Sequence, residues 1–294
     1  MKIEQLFHKF SDQYCVIDIR ENQPSSRLHT HNYDEIAIVL KGSGINVVDK
    51  NSYPIMRGDV FVIHGTQVHK IIKPKNLTLV NIIYERNKFD EIKKQLNALP
   101  GFNALFVYEP IYRKHHDFKA KLHLSSRQIE NIRNLLLEFK EEQDTQKPGV
   151  IYVVESIFKQ IIVKLCRSYH QSDNPGTKGM LKISSAIDYM EKHFAEKITI
   201  ESLSDLVEMP KTTFRWTFKK ITGSSPIDYL IHLRIEKAAE MMREKPKQHV
   251  IDVCLNVGFE NTGYFARKFG EIIGTTPINY LKKQREMEKR LKLR

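Results

Sequence analysis

A duplicated stretch near the C-terminus most constrains how this chain can fold. Residues 250–281 repeat 198–230 element by element, with Phe265 and Phe269 in the places of Phe214 and Phe218. Both copies end alike, as GSSPIDYL at 223–230 and GTTPINYL at 274–281. Each copy predicts a short helix, a tight turn and a second helix with two buried phenylalanines. Two copies of this quality indicate a duplicated helical unit.

Each unit has the layout of a helix-turn-helix, predicted at about 201–220 and 252–270, with a helix at about 226–243 between them. Second helices of such units enter the major groove, so two joined units can read two turns of DNA. Arginine can bridge guanine O6 and N7, whereas lysine more often contacts phosphates. The predicted DNA contacts are Lys211, Thr212, Arg215, Trp216, Lys219, Asn261, Thr262, Arg267 and Lys268. For Trp216, packing in the core is an open alternative.

Residues 180–290 resemble the AraC/XylS family of bacterial transcription regulators. The second copy carries the family pattern at Gly258, Phe259, Tyr264, Phe265, Arg267, Phe269, Gly274, Pro277 and Tyr280. The first copy departs from it, with Glu208 for the turn glycine, Ser204 for alanine and Trp216 for arginine. A non-glycine residue in a left-handed turn costs about 1–2 kcal/mol unless the turn changes shape. The resemblance implies promoter DNA and RNA polymerase as partners.

Residues 14–84 have a strand-like pattern of apolar residues, unlike the helical pattern near the C-terminus. Short β-branched runs fill residues 14–84, at 14–19, 35–40, 45–49, 59–63, 69–73 and 77–84. Glycine, proline and asparagine clusters separate the runs, which is typical of an antiparallel barrel or sandwich. The predicted fold class is therefore α+β, with strands first and an all-α domain at 180–294.

The stretch HTHNYDE at 29–35 carries the chemistry of the strand region. His29, His31 and Glu35, followed by Gly42, resemble the first cupin motif. Gly58 and His69 resemble the second, with His64 for the usual proline and Thr66 for the usual glycine. Inward side chains of a barrel can meet at one point. Two histidines, a glutamate and a third histidine would then form a facial site for Fe, Mn, Ni or Zn, as in a dioxygenase or isomerase.

A second interpretation places an effector, not a catalytic metal, at the same positions. AraC-type regulators often use a cupin-like barrel as a sugar sensor, and the DNA-binding half favours this interpretation over an enzyme. The predicted effector contacts are His29, His31, Tyr33, Glu35 and His69; no cofactor is required, and a divalent metal at His29, His31, Glu35 and His69 is the alternative. A third interpretation gives the barrel no ligand, only a role in assembly.

The strand region and the residues after it resemble one subgroup, the activators of bacterial L-rhamnose operons. The resemblance is carried by HTHNYDEIAIVLKGSG, by VNIIYE at 80–85 and by LNALPGFNALFVYEP at 96–110. It implies a sugar effector, L-rhamnose or a relative, and an activator.

Two helices are predicted after the barrel, at 125–143 and 150–169, separated by KPG. Their apolar faces predict a homodimer interface, or else a cover for the barrel. The polar stretch 170–179 reads as a linker, which gives domains at 1–172 and 180–294.

Charge, cysteine content and the length of the apolar runs limit the partners and the compartment that the protein can have. A net charge of +12 is compatible with nucleic acid. Three separated cysteines, Cys15, Cys166 and Cys254, are typical of a reducing compartment. No apolar run is long enough for a membrane span or a signal peptide. The sequence therefore predicts a cytoplasmic protein without a membrane partner.

Overall fold

A computed structural model describes residues 15–96, 98–113 and 121–292 of the chain. The chain divides into two compact units, with the boundary between Ser184 and Ser185. The division falls inside a helix, so each unit is described separately.

Six antiparallel strands form the first unit. They are β1 (Cys15–Arg20), β2 (Asp34–Val48), β3 (Asn51–Met56), β4 (Asp59–Ile63), β5 (His69–Tyr84) and β6 (Leu122–His123). Their order is β1-β5-β2-β4-β6, and β3 pairs with β2. The runs predicted at 35–40 and 45–49 are one strand, as are those at 69–73 and 77–84. The predicted turn at 73–76 is wrong, because Lys73 and Asn76, with φ of 51° and 47°, form an irregularity within β5.

Because of bulges, the long strands β2 and β5 run through both halves of one barrel. The β2–β5 register shifts three times between Val39 and Ile45. Before the shifts β2 also pairs with β4, and after them it pairs with β3. Both halves turn their inward side chains to a common core, made of Ala37, Val39, Val48, Tyr53, Ile55, Phe61, Ile63, Ile71, Leu77 and Leu79. Strands that change partners at bulges are the usual way to close such a core.

Helices cover the outside of this sheet. They are α1 (Arg86–Leu96), a π-helix (Asn103–Tyr108), α2 (Glu109–Tyr112), α3 (Ser126–Thr145) and α4 (Val150–His170). The last two confirm the predicted helices. Ser125 and Gln128 form a capping box at the start of α3, and Gly149, with φ of 87°, precedes α4. The Gln143 side chain of α3 bonds both the N–H and the C=O of Ile17, at 2.7 and 3.0 Å, on the edge strand β1.

The next helix, α5 (Pro175–His193), corrects the predicted linker at 170–179. Proline suits a first helical turn, since its missing N–H needs no partner there. The Asn174 side chain accepts a 2.8 Å hydrogen bond from the Gly176 N–H and so starts the helix early.

Six helices complete the second unit. They are α6 (Ile200–Leu206), α7 (Lys211–Thr222), α8 (Pro226–Glu244), α9 (Val250–Asn256), α10 (Thr262–Ile273) and α11 (Pro277–Lys292). Phe214, Phe218, Phe265 and Phe269 are fully buried, as predicted. None of the helices in the described ranges is long and apolar enough to cross a membrane.

Two arginines that the sequence analysis missed repeat between the copies. Arg234 donates to the carbonyls of Phe194 and Glu196, both at 2.7 Å. Arg285 donates to the carbonyls of Pro246 and Gln248, at 2.6 and 3.1 Å. Each guanidinium therefore fixes the chain that enters the first helix of its unit.

Candidate functional site

The segment that carries the first two histidines is not a regular strand. His29 makes a single β-bridge with His69, and β2 begins only at Asp34. Regular alternation along a strand therefore does not position His29 and His31. The turn at 64–67 holds the segment instead, because the Gly65 carbonyl accepts from Thr30 Oγ1 at 2.7 Å and from the His31 N–H at 3.2 Å.

Gly65 makes this approach possible. A Cβ at this position would lie 2.5 Å from the Tyr33 carbonyl oxygen, which is too close for any side chain. The glycine that the cupin motif places at Thr66 is thus found one residue earlier, at Gly65.

The four predicted ligand residues nevertheless come together. The Glu35 carboxylate is buried, and its Oε2 lies 3.4 Å from His31 Nε2 and 3.9 Å from His69 Nε2. One nitrogen from each of His29, His31 and His69 lies within 4.8 Å of the other two. The Tyr33 ring stacks on His31 at 3.9 Å and 7°, so Tyr33 orients the imidazole.

One hydrogen-bond pattern orients all three imidazoles. In each ring, Nδ1 lies within hydrogen-bond distance of a backbone carbonyl two residues away. His29 Nδ1 is 2.9 Å from the Arg27 oxygen, and His31 Nδ1 is 2.8 Å from the Tyr33 oxygen. His69 Nδ1 is 3.1 Å from the Gln67 oxygen. A carbonyl only accepts, so each Nδ1 carries a proton, and any of these rings in its neutral form has its lone pair on Nε2. Such backbone partners typically orient metal-binding histidines.

The charges of the cluster follow from burial and from these contacts. Burial alone would raise the pKa of Glu35, but its close contacts with the His31 and His69 rings outweigh burial and lower it. Burial lowers the pKa of His69, which favours the neutral ring. His31 Nε2 has no hydrogen-bond partner among the described residues. A buried carboxylate that faces an imidazole lone pair needs a proton, a cation or a hydroxyl donor between them.

Two buried amides extend the polar surface of the barrel interior. Asn46 is fully buried, and neither of its side-chain polar atoms has a hydrogen-bond partner in the described structure. It lies opposite Tyr53 and Ile71 of the common core. Asn81, whose Oδ1 lacks a partner among the same residues, lies opposite the core residue Ala37 and also opposite Asp18. Neither amide is among the site residues predicted from the sequence, where the only signal is an asparagine within each apolar run.

The helix α7 presents its predicted DNA contacts to solvent. Lys211, Thr212, Arg215, Trp216 and Lys219 are all exposed. Trp216 is 64% exposed, which rules out the core-packing alternative. Lys220 lies over its ring, 4.7 Å from the centroid, and Glu201 of α6 pairs with Lys211 at 2.8 Å.

The helix α10 presents fewer free cations. Thr262 and Arg267 are exposed, whereas the Asn261 side chain caps the helix by accepting from the Tyr264 N–H at 2.8 Å. Glu271 pairs with Lys268 at 2.7 Å and with Arg267 at 3.4 Å. In the free protein, these two cations are thus partly neutralised.

The turns of the two units have the same form. Met209 N–H donates to the Ser204 carbonyl at 2.9 Å, and Phe259 N–H to the Cys254 carbonyl at 3.1 Å. The turn residue is Glu208 in the first unit, with φ of 50°, and Gly258 in the second, with φ of 84°. The first unit therefore keeps the left-handed turn without a glycine.

Comparisons with known proteins agree with this division. A helix-turn-helix domain family matches residues 203–283, and a cupin domain family matches 15–83. The transcriptional activator RhaR of Escherichia coli K12 is 27% identical over 272 residues, 92% of each chain. RhaR of Mannheimia succiniciproducens is 24% identical over 264 residues, 90% of each chain. The structure of ToxT from Vibrio cholerae is 12% identical, with a TM-score of 0.34 over 92% of this chain and 100% of that one.

Proposed function

Because this chain is an AraC-type DNA-binding transcription regulator with an N-terminal cupin domain, we propose that it activates promoters in response to a sugar. The effector is L-rhamnose or a relative, held in the barrel. The relatives that span most of the chain are named transcriptional activators, not enzymes. Activation includes contact with RNA polymerase at the promoter.

The polar interior of the barrel supports a sugar most directly. Glu35 and the Nε2 atoms of His31 and His69 offer acceptors to hydroxyl groups. The amides of Asn46 and Asn81 are buried with unused hydrogen-bonding atoms. Leaving such a group unpaired costs about 1–3 kcal/mol. A molecule with several hydroxyls on a compact ring would satisfy these groups together.

A divalent metal, Zn, Ni, Mn or Fe, is the second candidate ligand, and the histidine orientation favours it. In their neutral forms all three rings offer an Nε2 lone pair, and the Glu35 carboxylate is close to two of them. Three imidazoles and one carboxylate suit these metals. Such a metal would hold a sugar hydroxyl in place; regulation does not require it.

The protein acts as a homodimer in this proposal. Tyr152, at the start of α4, is 79% exposed, with Ile151 and Val153 beside it at 37% each. Leu137 of α3 is 50% exposed. A second copy would cover these apolar groups, and two copies bring four recognition helices to the promoter. Tyr152→Asp should lower the mass measured by light scattering to that of one chain; an unchanged mass would place the dimer interface elsewhere.

Thermal unfolding in the presence of sugars, with and without EDTA, tests the effector and the metal together. A sugar that binds the folded barrel raises the melting temperature. His31→Ala and Glu35→Gln should abolish that rise, whereas His232→Ala, an exposed histidine of α8, should keep it. If the purified protein contains no metal by elemental analysis and EDTA changes nothing, the metal is excluded. If no sugar raises the melting temperature of the wild type, the sugar response is wrong.

A further inference from the structure

The exposed indole of Trp216 is the least expected feature of the DNA-binding unit. Trp216 is the only tryptophan of the chain and is 64% exposed. It lies on α7 beside the exposed cations Arg215, Lys219 and Lys220. The helix sequence KTTFRWTFKKIT contains four cations and no acid. The charge of this face matches a polyanion, yet its largest side chain is apolar.

The internal repeat shows which residue occupies the equivalent position in the other unit. Phe214 and Phe218 of α7 align with Phe265 and Phe269 of α10, so Trp216 aligns with Arg267. Arg267 is 61% exposed in its side chain and can bridge guanine O6 and N7. One chain therefore carries a cation in one unit and an indole in the other, at equivalent places on two helices of the same kind.

The chemistry of the major groove limits what an indole can recognise there. Its base edges present hydrogen-bond donors and acceptors, and the thymine C5-methyl is the apolar group among them. An indole in the place of an arginine loses the bidentate match to guanine and gains an apolar surface. Lys220, 4.7 Å from the ring centroid, packs a cation against the ring.

We propose that Trp216 is a specificity-determining residue that contacts a thymine methyl in the half-site of the first unit. The two units of one chain then read different chemistry, a thymine methyl through Trp216 and a guanine edge through Arg267. The occupant of this apolar surface is the promoter DNA.

Replacing thymine by uracil tests the methyl contact, because only the methyl group is removed. The full-length chain is titrated with a duplex that it has itself selected from a random-sequence pool. Each thymine of that duplex is replaced by uracil in turn. We expect about a fourfold loss of affinity at one thymine, from the free energy of burying one such group. With Trp216→Ala, the parent duplex should bind more weakly, and the same uracil should cause no further loss.

Variants of the same position test the specificity. Trp216→Arg should shift the preferred base at that position from thymine to guanine. Leu255→Ala, which removes another exposed apolar side chain outside the recognition helices, should bind as the wild type does. Because Trp216 is exposed, these changes should leave the cooperative melting of the protein unchanged.

Intrinsic fluorescence gives a direct readout, since all indole emission comes from Trp216. Its emission should change as the selected duplex is added and change less with the uracil duplex. The proposal is overturned if the emission is the same with and without DNA. It is equally overturned if no uracil distinguishes the wild type from Trp216→Ala, or if Trp216→Ala weakens selected and scrambled DNA alike.

Discussion

At the scale of single residues, Asp34 joins three parts of the sensor. Its carboxylate accepts from the Gly65 N–H at 3.0 Å and from His64 at 3.2 Å. Arg86 donates to both of its oxygens, at 2.7 and 3.3 Å. The histidine segment before β2 has little backbone pairing of its own, so this carboxylate fixes the turn against which that segment packs.

The contacts of Asp34 predict a pH dependence. Burial alone would raise its pKa, but His64, Arg86 and the Gly65 N–H outweigh burial and lower the pKa from 3.8 to about 2. A lowered pKa stabilises the folded state above pH 3.8, and this contribution is lost as pH falls towards 2. Asp34→Asn should therefore lower the free energy of unfolding by about 2 kcal/mol at pH 6. Urea unfolding should show that the difference from wild type shrinks below pH 4; a difference that is constant with pH would contradict the assignment.

Glu208 carries a backbone cost that the second unit avoids. Its φ of 50° is one that glycine adopts freely. Glu208→Gly should stabilise the first unit by about 0.5–1 kcal/mol, after the greater freedom of glycine in the unfolded chain is allowed for. Hydrogen exchange of the α6 and α7 amides should slow.

The reciprocal change is the control. Gly258→Ala should speed exchange in α9 and α10, because φ is 84° there and a Cβ would lie 2.6 Å from the Ala195 carbonyl oxygen. Unchanged exchange in α6 and α7 of Glu208→Gly would mean that the turn strain is negligible.

At the scale of elements, Glu271 of α10 pairs with two cations that are predicted to contact DNA. Glu271 holds Lys268 and Arg267 at the helix surface. Glu271→Gln should raise affinity for scrambled DNA roughly two- to fivefold at low salt, the range for an exposed ion pair, and the gain should fall as salt is added. Arg267→Ala should instead cost about 1–3 kcal/mol on selected DNA and less on scrambled DNA. If Glu271→Gln weakens binding to selected DNA, Glu271 contacts a base itself.

The elements that the sequence predicts well are those with a regular period and local signals. The capping box at Ser125 and the glycine at 149 delimit α3 and α4 within a few residues of the prediction. The breaks predicted between the runs at 35–40 and 45–49 and between those at 69–73 and 77–84 fail, since glycine, lysine and asparagine are as typical of a bulge as of a turn. Those bulges set the register of β2 on β5. Asn46 and Asn81 were therefore not predictable as inward residues, whereas Glu35 and His69 were, through the spacing of a known motif.

At the scale of the whole molecule, a series of buried polar groups extends from the histidine cluster towards α5. The Gln67 carbonyl accepts from His69, and the Gln67 side chain donates to the Pro110 carbonyl at 3.2 Å. Beside Pro110, Glu109 and Arg113 form a buried ion pair. Burial raises the pKa of Tyr169 on α4, and Glu109, Arg113 and the Thr177 hydroxyl of α5 also act on it. The division between the units lies within α5, so this helix belongs to both.

This series of groups predicts that Tyr169→Phe separates sugar binding from the DNA response. The change removes one buried hydroxyl and keeps the ring, so the fold and the sugar-dependent rise in melting temperature should remain. The sugar-dependent change in DNA affinity should become smaller, since the Tyr169 hydroxyl is close enough to the ion pair and to Thr177 for both to act on its pKa. Tyr84→Phe is the matched control, because Tyr84 is also fully buried, but Asp34, Arg86 and Glu35 act on its pKa instead of Glu109, Arg113 and Thr177. DNA binding measured by anisotropy, with and without sugar, decides the point: a Tyr169→Phe response equal to that of wild type would show that α5 receives the signal by another path.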